Sequence, residues 1–509
     1  MSITRNLLMG STALVGLTAF AQNTDKPNII FILCDDMGYG DLACYGQPYI
    51  ETPNIDRMAS EGMLFTQAYA GSPVSAPSRA TLMTGQHTGH THVRGNKEYW
   101  KGRPQQQYGV TQEPDRVGQE PYDPNHVILP EIMKANGYTT GMFGKWAGGY
   151  EGSVSTPKTR GIDEYYGYIC QYMAHRYFPN FLNRYSPRRG DKDVIRIPME
   201  ENIKYSDGCT NPDYAKRTQY SGDMIHQEAL EWLDLQTKDK PFYGLFTYTL
   251  PHAELYQPND SILQAYYGKF CNDKTFGGTD RYHATIKTHA QFAAMITRLD
   301  AYVGEIMDKL KEKGLDDNTI LIFSSDNGPH EEGGADPDFF GRDGKLQGKK
   351  RSCLEGGIRI PFIVRWPGHV KAGSVNNHML AFYDIMPTFC DLIGQENYIE
   401  KFGNKKVEND YFDGISFAPT LLGKDGQKEH DFLYWEFHET NQMGVRKGDW
   451  KLYVERGKCK LFNLANDIHE DHDVSAQHPE VVKELVKIIY EQHTTPDVNE
   501  FKTVTLPQQ

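Results

Sequence analysis

Two continuous apolar runs that lie far apart in the chain mark its first predicted elements. Residues 28–33 and residues 319–325 are dominated by apolar side chains, without the polar alternation of a half-exposed strand. Continuous runs of this length are typical of strands that are buried on both faces of a sheet. Similar segments at 139–143, 242–249 and 358–364 predict further strands of that sheet.

A stretch before residue 319 has the period of an amphipathic helix. Its apolar residues recur at spacings of three and four, and Gly314 follows the last turn, as is common at helix ends. These residues are Phe292, Ile296, Leu299, Val303, Ile306 and Leu310. Helix followed by buried strand, repeated along the chain, predicts an α/β fold built around a sheet.

The pattern changes from about residue 426, where short strand-like segments replace the long buried runs. Segments at 432–437, 443–446 and 450–453 predict strands joined by turns, and 479–492 predicts a helix. We therefore expect a small C-terminal antiparallel sheet with a packing helix and a loose tail in residues 426–509.

The N-terminus carries the signals of protein export. Arg5 precedes an apolar run over residues 7–20, and Ala19-Phe20-Ala21 has the small-residue pattern of a cleavage site. Because the run is too short for a comfortable membrane span, it predicts a cleaved signal peptide in residues 1–21. We expect a mature protein that is exported, to the periplasm in the first place with secretion as the alternative, and that makes no membrane contact after cleavage.

Composition and charge exclude some partners. The 509 residues are 39% hydrophobic and 24% charged, which is typical of a globular protein, and the formal net charge is −13. Nucleic acid is therefore not an expected partner, since phosphate binding needs clustered lysine and arginine. The eight cysteines have no zinc-type spacing, and Cys34, within a predicted strand, is expected to be a buried thiol.

Oxygen-bearing side chains follow two of the buried strands. Asp35 and Asp36 come after the first apolar run, and Asp326 and Asn327 come after the run at 319–325. In open α/β sheets ligands bind beyond the carboxyl ends of the strands, so both pairs indicate one site. Hard oxygen ligands without histidine or cysteine suit Ca²⁺ or Mg²⁺ rather than zinc. The plainer alternative is that these residues form turns or cap helices.

The segment Ser75-Ala76-Pro77-Ser78-Arg79 predicts the start of a helix, because proline suits the first turn. A group at this position faces unpaired backbone N–H donors and the positive end of the helix dipole, where an anion would bind. The alternative is that Ser75 is only an N-cap, a position that serine favours. No Ser-His-Asp arrangement supports a serine nucleophile of the usual hydrolase kind.

The run from Ser75 to Gly85, Ser-x-Pro-Ser-Arg-x-x-Leu-x-Thr-Gly, resembles the signature of the type I sulfatases. In that family a cysteine or serine at the first position is oxidised to formylglycine, the catalytic nucleophile. The resemblance thus implies a formylglycine-generating maturase as a partner, and the serine suggests one of the anaerobic radical type. It also implies an alkaline-phosphatase-like fold, with a large, mixed, mostly parallel sheet sandwiched by helices and a catalytic domain over residues 22–425.

Further motifs resemble the family in its own order. The two oxygen pairs match its calcium ligands, which implies Ca²⁺ as the cofactor. Lys145 and Lys350 match its two sulfate-gripping lysines, and Arg79 belongs to the signature itself. His252 matches the histidine that contacts the ester oxygen and would protonate the leaving alkoxide. Taken alone, each lysine would be a solvated charge and the histidine a structural residue.

One position departs from the family pattern. The family reads Gly-Lys-Trp-His-x-Gly where this chain has Gly144-Lys145-Trp146-Ala147-Gly148-Gly149. The missing histidine normally deprotonates the second hydroxyl of the formylglycine hydrate and so helps to release sulfate. Ala147 cannot do this, so either another group, such as His175 or a water molecule, takes the role, or turnover of the intermediate is altered.

The expected substrate is a sulfate monoester of a carbohydrate. The run around His175, Gln-x-x-Ala-His-x-Tyr-x-Pro, resembles carbohydrate sulfatases of polysaccharide-degrading bacteria, some of which act on sulfated galactose or N-acetylgalactosamine. We therefore expect a host or algal glycan as substrate. Further candidates for the sugar pocket are His330, Arg342 and His438, each of which has an equally strong structural alternative.

Two other functions stay open from the sequence. The first is a phosphate or phosphonate monoester hydrolase of the same superfamily, although such enzymes usually have zinc-type histidine ligands or lack the maturation signature. The second is a non-catalytic protein that binds sulfated glycans, which applies if Ser75 is never oxidised. Assays on aryl sulfate and aryl phosphate, together with the chemical state of residue 75, separate the three.

Overall fold

The computed structural model describes residues 26–99, 118–209, 211–395, 398, 401 and 412–508, so the predicted signal peptide lies outside the described residues. A sheet of eleven strands forms the centre of the molecule. Its strands are β1 (Asn28–Cys34), β2 (Met63–Tyr69), β3 (Thr139–Lys145), β4 (Glu164–Tyr168), β5 (Phe181–Tyr185), β6 (Ile195–Pro198), β7 (Phe242–Thr247), β8 (Thr319–Ser325), β9 (Arg359–Arg365), β10 (Ser374–Asn376) and β11 (Leu380–Ala381).

The strand order is β10-β2-β9-β8-β1-β7-β3-β4-β5-β6, with β11 also paired to β2. The five central strands, β8, β1, β7, β3 and β4, are parallel to one another. Antiparallel pairs lie on both sides of this block, at β8–β9, β9–β2, β4–β5 and β5–β6. The predicted mixed, mostly parallel sheet is therefore confirmed, and all five strands expected from apolar runs belong to it.

Helices cover both faces of the sheet. They are α1 (Pro53–Ser60), α2 (Ser75–Thr84), α3 (Leu129–Ala135), α4 (Ser221–Asp234), α5 (Thr288–Glu312), α6 (Glu355–Ile358) and α7 (Ile385–Leu392). Alternate residues of β1 enter different cores: Ile30 packs in the cluster that contains α4 and α5 residues, and Phe31 in the one that contains α2, α3 and α7 residues. Burial on both faces explains why β1 is continuously apolar.

Strand register brings the predicted ligands together. In the parallel pair β1–β8, Cys34 lies opposite Ser325, so the chain positions that follow, Asp35 and Asp326, emerge side by side. The Asp35 backbone N–H also donates to the carbonyl of Leu250, just beyond β7, at 3.1 Å. Lys145 ends β3 at the same edge. The carboxyl ends of four neighbouring strands thus form one rim.

The C-terminal region contains a second sheet of four antiparallel strands and the helix α8 (Pro479–Gln492). The strands are β12 (Leu433–Phe437), β13 (Gln442–Lys447), β14 (Trp450–Glu455) and β15 (Lys458–Asn463). The fourth was not predicted, because its polar first half, Lys-Cys-Lys, hides the strand pattern. One face packs on α8 and the other on residues of the large domain such as Tyr69 and Val74.

The cysteines are free thiols, and Cys34 is buried as the sequence predicts. Cys34 is fully buried, and burial raises the pKa of its thiol. Among the described residues, which include all eight cysteines, no disulfide bond is formed. In that same part of the chain, no helix combines the length and the hydropathy needed to cross a bilayer.

A buried charge cluster joins the two sheets. Lys451 of β14 lies 2.9 Å from the Glu355 carboxylate at the start of α6 and 3.5 Å from that of Glu470. The Tyr69 hydroxyl donates to the other Glu355 oxygen at 2.7 Å. One lysine thus faces two buried carboxylates, which cannot both ionise cheaply. Burial, reinforced by Glu355, raises the pKa of Glu470 to about 7, against the attraction of Lys451.

We predict that Glu470→Gln stabilises the protein at high pH. The native state holds the Glu470 proton more tightly than the unfolded chain, so wild-type stability falls as pH rises from the ordinary value of 4.5 towards about 7. Glutamine keeps the acceptor for the Glu355 N–H and has no charge to bury. The variant should gain about 1–3 kcal/mol over wild type at pH 8 and little at pH 4.5. Urea unfolding at both pH values measures this, and a pH-independent difference would contradict it.

Candidate active site

Ser75 is the first residue of α2 and is 4% exposed. The N-cap position belongs to Val74, which makes no side-chain cap hydrogen bond. The Ser75 hydroxyl instead donates to Asp35 Oδ1 at 2.9 Å. The helix ends at Gly85, whose φ of 70° suits glycine. The serine therefore directs its oxygen to the carboxylate rim of the sheet and does not cap its helix.

The carboxylates around Ser75 are balanced by buried cations. Lys145 Nζ lies 2.5 Å from Asp35 Oδ2, and Arg79 Nε donates to Asp326 Oδ2 at 2.9 Å. Burial opposes the ionisation of Asp35, but the charge of Lys145, then those of His252 and Arg79, outweighs it and lowers the Asp35 pKa. Burial and the neighbouring Asp35 raise the pKa of Asp326 to about 6. The site thus contains buried carboxylates and cations that face one another away from water.

A second set of contacts surrounds Asp36. Lys350 Nζ lies 2.8 Å from Asp36 Oδ2 and 2.9 Å from His252 Nε2. His252 Nδ1 lies 2.5 Å from the Ala253 carbonyl, which can only accept, so Nδ1 carries the proton and Nε2 faces the site. Burial and the charge of Lys350 lower the pKa of His252. The imidazole is therefore neutral, and its Nε2 accepts a hydrogen bond from Lys350 on the side that faces Asp36.

The four predicted ligands fit a hard divalent cation. Three of them are fully buried carboxylates, and the fourth, Asn327, donates its Nδ2 to Asp36 Oδ1 at 2.7 Å. Its carbonyl oxygen, Oδ1, is buried and has no hydrogen-bond partner among the described residues. This unpartnered carbonyl oxygen and the three carboxylates together form a set of oxygen ligands. A hard divalent cation bound there would satisfy all of them.

The surroundings of Ala147 and His175 show whether His175 can take the role of the family histidine that this chain lacks at position 147. Ala147 is fully buried and has φ of 56°, so the chain turns sharply after Lys145. His175 stacks on His252, with ring centroids 4.1 Å apart. Its Nδ1 lies 3.2 Å from Arg281 NH2, and arginine can only donate, so this nitrogen is an acceptor and its lone pair is engaged. Burial, His252 and Arg281 keep its pKa well below the ordinary value, which favours a neutral hydrogen-bond donor over a base.

The structure places the other three sugar-pocket candidates differently. His330 stacks behind His252 at 5.3 Å, donates to the Pro251 carbonyl and accepts from the Glu332 N–H, so both ring nitrogens are used. Arg342 is fully buried, its Nε–H is shared between the two Asp41 carboxylate oxygens, and its NH2 donates to the Asp36 carbonyl. His438, beyond β12, packs against Phe501. The contacts of His330 and Arg342 favour support of the site over contact with a sugar.

Two residues near the site, Glu332 and Arg281, were missed from the sequence. Glu332 lies 3.3 Å from Lys350 and 2.8 Å from Arg351, and it accepts from the Tyr282 hydroxyl at 2.7 Å. Arg281 lies beside Tyr282, over the rings of Tyr172 and Tyr282. Glu332 follows Asp326-Asn327-Gly328 closely, but nothing in the sequence distinguishes it from Glu331. No sequence pattern around Arg281 marks it, because the hairpin of residues 275–286 carries it to the site.

Taken together, the structure shows an α/β fold with a buried cluster of opposite charges at the carboxyl ends of its central strands. The sulfatase family matches residues 27–395, and the C-terminal region of N-sulphoglucosamine sulphohydrolase matches residues 347–495. The chain therefore belongs to the sulfatase family and is a sulfuric ester hydrolase.

Individual relatives agree with this assignment. An N-acetylgalactosamine-6-O-sulfatase of Bacteroides thetaiotaomicron is 29% identical over 92% of this chain and 93% of its own. An N-acetylgalactosamine-6-sulfatase of Rattus norvegicus is 30% identical over 88% of this chain and 75% of its own. The crystal structure of Ps i-CgsB is 28% identical, with a TM-score of 0.70, and the match covers 93% and 94% of the two chains. The first two are named as sulfatases of a sugar, and the chain shares the activity class of carbohydrate sulfatases.

Arg342→Met tests whether this residue supports the fold or binds the sugar. Removing one partner of a buried ion pair leaves Asp41 uncompensated, so we predict a loss of about 3–5 kcal/mol in the free energy of unfolding. Arg188→Met, which breaks a more exposed ion pair with Glu164, is the control and should cost less than about 1 kcal/mol. Unchanged stability of Arg342→Met with a raised KM would show that the guanidinium contacts the substrate.

Proposed function

We propose that the protein removes sulfate from a galacto-configured sugar, with 6-sulfated N-acetylgalactosamine as the first candidate. The observation that carries the proposal is the Ser75 hydroxyl on Asp35, with Lys145 at the same carboxylate and Lys350 at the neighbouring Asp36. The two relatives named as N-acetylgalactosamine sulfatases support the sugar. A structure of Ps i-CgsB in complex with k-i-k-neocarrahexaose supports a galactose-based glycan as the wider substrate class.

In this proposal residue 75 acts as formylglycine, whose hydrated aldehyde supplies a nucleophilic oxygen for sulfur. Asp35 accepts a hydrogen bond from the side-chain oxygen of residue 75 and orients it. Lys145 and Lys350, both held by carboxylates, offer positive charge to the sulfate oxygens. Arg79 fixes Asp326 and donates to the Lys145 carbonyl, which keeps the lysine in place. Preorganised charge of this kind supplies much of the stabilisation of a sulfuryl transition state.

His252 is the proton donor in this proposal. Its Nδ1–H is held by the Ala253 carbonyl, so only Nε2 can deliver a proton to the leaving sugar oxygen. The imidazole is neutral in the free site, because Lys350 and burial disfavour its charge. A sulfate ester beside Lys350 adds negative charge that offsets the lysine, and the imidazolium then becomes accessible. In the step that releases sulfate, the family histidine is replaced by Ala147. Because the His175 lone pair is engaged by Arg281, we propose that water takes the proton of the second hydroxyl in that step.

Ca²⁺ completes the proposed site, held by Asp35, Asp36, Asp326 and the partnerless Asn327 oxygen. A bound divalent cation supplies charge neutralisation at the sulfate oxygens. We also propose export to the periplasm through the N-terminal segment, and maturation of Ser75 by an anaerobic radical-type enzyme. Both rest on the sequence features described above.

The chemical state of residue 75 is the decisive test. After expression with an anaerobic maturase, mass spectrometry should show the peptide that contains residue 75 lighter by two hydrogen atoms. That preparation should hydrolyse N-acetylgalactosamine 6-sulfate and aryl sulfate, and aryl phosphate much more slowly. Ser75→Ala should be inactive with unchanged thermal stability, and Ser75→Cys should regain activity with an oxygen-dependent maturase that reads cysteine. Full activity with an intact serine would refute the mechanism.

Calcium binding is tested through stability, independently of turnover. Ca²⁺ at a hundred times its Kd should stabilise the protein by about 2.7 kcal/mol relative to chelator, seen as a raised Tm. Asn327→Leu should abolish most of this shift. Asp413→Asn is the control, because Asp413 with His87 and His90 forms the other candidate ligand cluster found among the described residues. If the calcium-induced Tm shift is lost in Asp413→Asn and kept in Asn327→Leu, the ion binds at the Asp413 cluster and the proposal is contradicted.

A further inference from the structure

A buried carboxylate that the proposed mechanism does not use lies close to the stacked histidines. Glu254 is 1% exposed and follows His252 by two residues. Burial opposes its ionisation, but the hydrogen bond from His283 and the charge of that ring, followed by the charge of Arg176, lower the pKa of the carboxyl group. A buried charge is costly unless its oxygens have partners. The Glu254 charge therefore determines which chain segments must meet at this point.

Two of the segments that meet at Glu254 also carry a residue of the site. The Glu254 N–H donates to the carbonyl of His175 at 3.4 Å, and Oε1 accepts from the Tyr177 N–H at 3.4 Å and from the Tyr214 hydroxyl. Oε2 lies 2.5 Å from His283 Nδ1, and because a carboxylate only accepts, that nitrogen carries a proton. One carboxylate thus ties its own loop to the segment of His175 and to the hairpin that carries His283.

Each of these segments contributes to the placement of the His252 ring. Arg281, two residues before His283, donates its NH2 to His175 Nδ1 at 3.2 Å. His175 in turn stacks on His252, with the two ring planes 9° apart. The Tyr177 hydroxyl lies 3.0 Å from the His252 carbonyl. The imidazole is therefore held by groups whose positions depend on the buried carboxylate.

We propose that Glu254 and His283 form a pair that positions His252 for proton delivery to the leaving sugar oxygen. The inference rests on the proposed function, in which His252 is the proton donor. Both Glu254 oxygens are engaged by other protein groups, so the pair acts through the placement of the His175 and His252 rings and does not touch the reacting atoms. A shift of about an ångström in such a ring is enough to remove much of its contribution to the rate.

The test compares two leaving groups. A sugar alkoxide needs a proton as it leaves, whereas 4-nitrophenolate, a much weaker base, does not. In matured enzyme, Glu254→Gln should lower kcat for N-acetylgalactosamine 6-sulfate by about ten- to a hundredfold and kcat for 4-nitrophenyl sulfate by less than about threefold. A residue that only stabilises the fold would lower both rates equally. Glu436→Gln is the control, because Glu436 is equally buried and pairs with His493 at 2.9 Å in the C-terminal region; it should lower Tm and keep the ratio of the two rates.

Two substitutions at position 283 separate the hydrogen bond from the ring. His283→Asn places an amide N–H near the position of Nδ1 and should keep kcat for the sugar sulfate within about threefold of wild type. His283→Phe keeps a ring against Tyr214, where the centroids are 3.3 Å apart, but removes the donor, and should show the same selective loss as Glu254→Gln. If His283→Phe does not fold, the contrast between His283→Asn and Glu254→Gln decides. Equal rates of these two variants on the sugar sulfate would overturn the proposal.

His252→Ala distinguishes failure of this inference from failure of the proposed function. It should lower kcat for the sugar sulfate much more than for 4-nitrophenyl sulfate, and adding Glu254→Gln should cost little more, because the pair acts through that ring. If His252→Ala shows this selectivity and Glu254→Gln does not, the proton donor stands and the positioning pair is refuted. If His252→Ala lowers both rates equally, or matured wild type releases no sulfate, the proposed function itself fails.

Discussion

The site depends on three carboxylates that the sheet forces together out of water. Asp35 and Asp36 follow β1 and Asp326 follows its parallel neighbour β8, so their proximity is a consequence of backbone register. Their mutual repulsion is offset by Arg79, Lys145 and Lys350, each from a different segment of the chain. Because a buried charge that lacks its partner is costly, these segments can take only the arrangement in which the opposite charges meet. The groups that stabilise this arrangement are thus the ones that we propose to bind the oxyanion.

This constraint explains the support that surrounds the site. Arg342 and Asp41 hold the backbone at Asp36, and His330 packs behind His252 with both ring nitrogens engaged. The second sheet contributes through Lys451, which pairs with Glu355, and Glu355 follows Lys350 by five residues in the chain. Residues outside the proposed chemistry therefore determine where Lys350 and His252 lie. The hairpin of residues 275–286 likewise brings Arg281 to His175.

Much of the fold was predictable because its signals are local. The buried strands were found from continuous apolar runs, and α2 from Pro77 and its neighbours, since neither signal depends on distant residues. The strand β15 was missed because its first half is polar, and its pairing with β14 places it in the sheet. The roles of Arg342 and His330 were not foreseeable, because a buried arginine differs from a substrate-binding one only in its partners. Glu332 and Arg281 were missed for the same reason.

The sequence by itself determined the class of chemistry: a sulfatase signature at the start of a helix, oxygen ligands after two buried strands, and a departure from the family at Ala147. Residue type and spacing suffice there, because motifs encode which atoms are available. Only the tertiary structure decided which atoms are free to act. It showed that Ser75 donates to Asp35, that the His175 lone pair is occupied by Arg281, and that Asn327 keeps an oxygen without a partner. The two hydrogen-bonded pairs join residues 40 and 106 positions apart, and no local pattern records them.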